Sequence, residues 1–311
     1  MASQIAAVDT TTGVGGGDPG GRKGVVAFLV ICFTGSWLYI YAAHSLWGLS
    51  LVNPLAQLPF GFMPALAAVV VRRWVTREGF AGAGLRPRFR SAWPYYLAAW
   101  LGPLVFAAMA VGLAWALEWR VPGPAALADL AGGLSAWVFV PLLMAAVPLL
   151  TPVYWGEEFG WTAFLRQRLF PGRPVRATMA TGLIWAVWHY PLAFTGYIEF
   201  SCVPLGLAVW TVSFLFQEML LGWLYDRSGS VWVVSLAHGG NNMVLSLLTG
   251  FLLGERAGLG VNTVALLMTA PMALACAVIA VGARRRGKSL ARRRAAVRAS
   301  DDTSVPGKVR S

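Results

Sequence analysis

The sequence predicts an all-α fold: a polytopic membrane bundle of about eight transmembrane helices, with both termini on the inner side. Three observations carry this. Of the 311 residues, 57% are hydrophobic and only 12% are charged, with a mean hydropathy of +0.62. A soluble domain of this length needs more polar surface. Apolar runs long enough to cross ~30 Å of hydrocarbon recur along the chain. Arginine and lysine gather in alternate loops, so the net charge of +12 reads as a membrane-orientation signal and not as nucleic-acid affinity.

The elements follow in order. Residues 1–23 are polar and Gly-rich and read as a disordered leader. They lack the prompt apolar core of a cleaved signal peptide. A transmembrane domain over residues 24–283 contains the apolar runs. The first three are 24–43, 54–71 and 93–117. A fourth span lies within 135–165, a stretch too long for one crossing. Pro141, Pro148 and Pro152 are expected to bend or interrupt it. Runs at 177–194, 200–225, 230–248 and 261–282 complete the count. Residues 284–311 form a basic tail suited to an anionic inner leaflet.

The loop charges fix the expected orientation. With the amino terminus inside, the inner loops hold Arg22, Lys23, Arg72, Arg73, Arg77, Arg86, Arg88, Arg90, Arg166, Arg168, Arg173, Arg176, Arg227 and the basic tail. The outer loops hold only Arg120 and Arg256. An odd number of spans would send one strongly basic segment outward. The three cysteines, Cys32, Cys202 and Cys276, have no metal-ligand spacing and carry no message about redox compartment.

Against this apolar background, Glu157 and Glu158 stand side by side in YWGEEFGWTAFLR. At 1.5 Å per residue, Glu157 lies ~13 Å inside the surface marked by Arg166. By the same count His189 lies ~20 Å deep, and His238 and Glu218 each lie ~12 Å deep. Ionisable groups at such depth need partners or a water-filled cavity. Four helices therefore bring acids and imidazoles to one broad layer. His44 and the tryptophans near span ends read as interfacial residues. The Gly239-Gly240 pair reads as a site of close backbone approach.

Three motifs in this order resemble those of the CPBP intramembrane proteases, the family of CAAX prenyl endopeptidases and bacteriocin-processing or immunity (Abi) proteins. They are Glu157-Glu158 in EEFGWTAFLRQRL, Trp185-Ala-Val-Trp-His189, and His238-Gly-Gly-Asn-Asn242. The resemblance covers residues 135–250. The family's arginine position is Thr162 here, one turn beyond Glu158, which offers a hydroxyl without charge. Three outcomes follow from that departure: Arg166 supplies the missing cation, Glu158 carries a proton, or the site is impaired.

The resemblance implies an intramembrane endopeptidase in a multi-pass protein of the cell membrane. Its catalytic set would be Glu157, Glu158, His189, His238 and Asn242, acting on a peptide or membrane-protein substrate through a lateral or cytoplasmic opening. It implies Glu157 for water activation and Glu158 for support. Adjacent helical residues point ~100° apart, so the two glutamates do not face one centre. His238 and Asn242 share a helical face and suit either metal binding or hydrogen bonds to an oxyanion. Glu157, His189 and His238 match a catalytic Zn²⁺ site with an open position, and the family is usually called a metalloprotease. The HExxH helix is absent, and a metal-free scheme with a glutamate base uses the same residues. Two other functions share these features: a proton-coupled carrier, and a catalytically impaired relative that binds a membrane partner. The Ala-, Gly- and Arg-rich composition suggests a bacterial source, where prenylated substrates are less expected.

Overall fold

A computed structural model describes residues 19–303, with side chains described for 21–285. Eight long helices follow one another, and the described residues contain no strand. They are α1 (Gly21–Leu46), α2 (Pro54–Val75), α3 (Phe89–Ala116), α4 (Ala136–Leu165), α5 (Pro174–His189), α6 (Val203–Ser228), α7 (Val231–Arg256) and α8 (Val261–Arg285). Seven are long and apolar enough to cross a bilayer. The exception, α5, has 16 residues and continues as a 5-residue 3₁₀ segment, Tyr190–Phe194. Pro191 lacks the N–H that an α-helical ladder needs, so the helix tightens there instead of ending.

The expected leader and tail need adjustment. Residues 1–18 lie outside the described residues, but residues 19–23 already belong to the first helix, which begins at Pro19. The backbone of α8 runs on to Thr303, so most of the expected tail continues that helix, and residues 304–311 lie outside the described residues.

The prolines of α4 do not interrupt it: residues 136–165 form one continuous helix. Pro148 has no N–H for the carbonyl of Met144. The indole Nε1–H of Trp100 on α3 donates to that carbonyl at 2.8 Å. A neighbouring helix thus satisfies the group the proline frees, as a hydrocarbon environment requires.

Glycines set the closest helix contacts. On α4, Gly156 and Gly160 lie one turn apart and receive α2: a Cβ on Gly156 would meet the Gly61 carbonyl at 2.8 Å, and one on Gly160 would meet the Pro64 backbone at 2.7 Å. Small residues at this spacing let two backbones approach in a membrane. Both members of the Gly239-Gly240 pair on α7 likewise admit neighbours, Tyr154 of α4 and Pro103 of α3. The central helix is α7, with 72% of its apolar window buried against at most 39% for any other span. It packs against α3, α4 and α6.

The two ends of the bundle are tied differently. At one end the 76–88 loop folds across the start of α7: Val231 N–H donates to the Gly84 carbonyl at 2.9 Å, and the Trp232 indole donates to the Leu85 carbonyl at 2.8 Å. Glu78 in that loop pairs with Arg72 and Arg168. At the other end Arg256 pairs with Asp129. Each ion pair joins segments that the charge count assigns to one side.

Candidate active site

Four helices supply the site, and all five residues expected there converge. Glu157 comes from α4, His189 from the end of α5, and His238 and Asn242 from the middle of α7; α6 closes the group with Phe214 and Trp210. Glu157 and Glu158 diverge, as adjacent helical positions must.

Glu157 faces α5. Its Oε2 accepts a hydrogen bond from the Trp185 indole Nε1–H at 2.8 Å and lies 4.0 Å from His189 Nε2. His189 Nδ1 is 3.0 Å from the Trp185 carbonyl, which only accepts, so Nδ1 carries the proton. In the neutral ring Nε2 is therefore a free acceptor directed at Glu157. Aromatic rings hold it in place: Trp188, Phe60 and Trp210 edge-on, and Phe214 at 4.5 Å between centroids.

Glu158 faces α7 and is fully buried. Its Oε1 meets His238 Nδ1 at 2.8 Å, and its Oε2 accepts from the Thr162 hydroxyl at 2.6 Å. Asn242 Nδ2 lies 3.3 Å from His238 Nε2. Thr162 thus partners Glu158 through its hydroxyl. Arg166 does not take over: its guanidinium makes a bidentate pair with Asp226 at 2.8 and 2.7 Å and donates to Thr178. Burial opposes the Arg166 charge, but the Asp226 carboxylate outweighs it and holds the guanidinium above its ordinary value. Arg166 also lies 4.0 Å from Glu218, a fully buried carboxylate on α6 with no hydrogen-bond partner among the described residues.

The three expected zinc ligands have suitable chemistry, a carboxylate and two Nε2 atoms. They do not form a ligand group in this arrangement: among the described residues no three His, Cys, Asp or Glu side chains do. His238 Nε2 meets the Asn242 amide instead.

Two features were not read from the sequence. The first is Trp185, singled out only as a motif aromatic, which is the direct donor to Glu157. The second is a cavity of about 640 Å³ bordered by His189, His238 and Asn242. It runs along α6, α7 and α8 to the end of the bundle that holds Tyr197, Glu255 and Val261. This is the end opposite Arg166 and Asp226. Burial, with the Glu157 charge adding, pushes the Tyr197 phenol above its ordinary value, so it remains an O–H donor.

Residues 133–244 match the family model described as Rce1-like, Type II CAAX prenyl endopeptidase Rce1-like. This segment holds all five site residues. No curated protein matches the chain.

Proposed function

We propose that this chain, whose residues 133–244 match an Rce1-like type II CAAX prenyl endopeptidase family model, hydrolyses a peptide bond within the membrane with a water activated by Glu157. One observation carries the reading: the Glu157 carboxylate and the His189 Nε2 acceptor stand 4.0 Å apart. Two acceptors at that distance both reach one water at ~2.8 Å. The water donates one hydrogen to each and turns a lone pair outward, into the cavity.

Each further residue then has a task. Trp185 anchors the Glu157 oxygen, and its backbone carbonyl fixes the His189 tautomer. The water oxygen attacks the peptide carbonyl carbon while Glu157 takes its proton. The oxyanion that forms is met by the Asn242 amide N–H, which His238 positions: Glu158 holds its Nδ1–H, and its Nε2 faces the amide. When the C–N bond breaks, Glu157 returns the proton to the leaving nitrogen. Glu158 acts through His238 and is a positioning residue.

Glu157, His189 and His238 carry donor atoms for a divalent metal, which would polarise the scissile carbonyl, but they would have to close up from this arrangement, in which they form no ligand group. The scheme above routes no step through the metal. The composition supports a bacterial plasma membrane as the setting. The test is hydrolysis in H₂¹⁸O: the chain, reconstituted in vesicles with a library of terminally blocked apolar peptides, yields new carboxyl termini carrying one ¹⁸O. Intact peptides after exhaustive incubation, with proton-gradient-dependent uptake of solute instead, would make it a carrier.

A further inference from the structure

We propose that Gln217 of α6 and Asn241 of α7 hold the backbone of an extended peptide substrate in the cavity beside His189 and His238, and that Met268 and Met272 of α8 receive a bulky apolar side chain next to the scissile bond. The inference rests on the endopeptidase reading and names what its cavity selects.

The cavity has a polar wall and an apolar one. On α6, Trp210, Ser213, Phe214 and Gln217 recur at intervals of three and four and line it together. Gln217 therefore shares a face with Phe214, whose ring lies 4.5 Å from that of His189. On α7, Asn241 lines the cavity one turn from His238. Adjacent α-helical side chains diverge by ~100°, which would turn Asn241 away from Asn242. The π-helical turn Asn241–Ser246 has more residues per turn, so the two amides diverge less and both reach the lumen.

These two amides differ from the other polar groups around them. Ser213 and Thr269 are spent on each other at 2.5 Å, and the Asn242 amide faces His238. Among the described residues the Gln217 and Asn241 side chains make no such bond, although both border the cavity and Asn241 is only 6% exposed. A carboxamide carries a donor and an acceptor, the same pair as a peptide group. A substrate extended to present its scissile bond leaves its own N–H and C=O groups without partners, which a hydrocarbon environment penalises. Gln217 and Asn241 supply those partners without placing a charge in the lumen.

The apolar wall stands opposite. The Ser213–Thr269 contact fixes α8 against α6 one turn before Gln217. Met268 and Met272 flank Thr269 and border the same cavity. Unbranched thioether side chains adapt to differing apolar shapes. The wall thus selects bulk and hydrophobicity and not one residue type.

Binding to the full chain in vesicles tests this without catalysis, in a Glu157→Gln background that removes the base. The probe is a terminally blocked, fluorescent polyalanine peptide with one central leucine. Gln217→Ala and Asn241→Ala are each expected to weaken its binding about three- to tenfold, with the melting temperature unchanged; Gln217→Met, which keeps the volume, serves if the alanine variant melts early. Methylating the peptide nitrogen at the leucine is expected to cost the parent site a similar factor and the double variant nothing further. Met268→Trp fills the apolar wall and is expected to reverse the preference, so that a glycine-centred peptide binds better than the leucine one. Unchanged binding in both amide variants, or methylation that costs parent and double variant alike, would overturn the backbone role. An unchanged leucine preference in Met268→Trp would overturn the apolar pocket, and no peptide binding at all would overturn both. Binding with these dependences but no ¹⁸O-labelled product would keep this site and remove the endopeptidase reading.

Discussion

His238 on α7 and Glu158 on α4 are 80 residues apart in sequence, yet His238 Nδ1 lies 2.8 Å from Glu158 Oε1 with both side chains buried. The other Glu158 oxygen is taken by Thr162. Both Glu158 oxygens are engaged inside the protein, and its effect on the reaction passes through the imidazole. This ordering divides the two glutamates by role and makes Thr162 a required partner.

Thr162→Val keeps the shape and removes the hydroxyl. A buried carboxylate oxygen then lacks its donor, at a cost of about 1–3 kcal/mol. Melting in detergent is expected to fall by several degrees and cleavage by about tenfold, with Thr162→Ser restoring both. A Thr162→Val variant indistinguishable from the parent would show that Glu158 needs no donor there.

Trp185→Phe preserves a packed ring and deletes the N–H that holds Glu157. The base then samples other rotamers. The expected result is a fall in kcat of about tenfold, a loss of ~1.4 kcal/mol in barrier terms, with KM and melting temperature nearly unchanged. A change confined to KM would assign Trp185 to substrate contact.

Gly160→Val tests the packing that sets the depth of the glutamates. The added side chain collides with the backbone at Pro64, and α2 cannot move away without separating from α4. Folded yield is expected to collapse. Gly102→Ala, at a helical glycine with nothing within 4 Å, is expected to change stability by no more than about 1 kcal/mol.

Elemental analysis addresses the metal. The glutamate-base scheme expects the same background metal content in the parent, His189→Ala and His238→Ala, and a cleavage rate within about twofold after chelation. One equivalent of zinc in the parent, lost in both variants, would instead assign Glu157, His189 and His238 as ligands.

Much of the site was legible because its residues break a pattern. Glu157, His189 and His238 stand out in apolar helices, where an ionisable group has few reasons to exist, and counting residues from the flanking arginines put them at comparable depth. What was illegible depends on partners far along the chain. Arg166 lies two turns from Glu158, but Asp226, 60 residues away, claims it. Pro148 reads as a helix breaker until Trp100 supplies its missing donor from another helix. Charge counting gave the expected sides of the loops, but the cavity is lined by residues of α6, α7 and α8 that are far apart in sequence, which no local pattern encodes.

The most direct measurement compares the parent with Glu157→Gln in the same vesicles and with the same blocked peptides. Glutamine keeps the acceptor for the Trp185 indole but is no base. The account predicts equal melting temperatures and a rate at least about 10²-fold lower, with Glu157→Asp falling between. A Glu157→Gln variant that cleaves at the parent rate would contradict the assignment of the water-activating base.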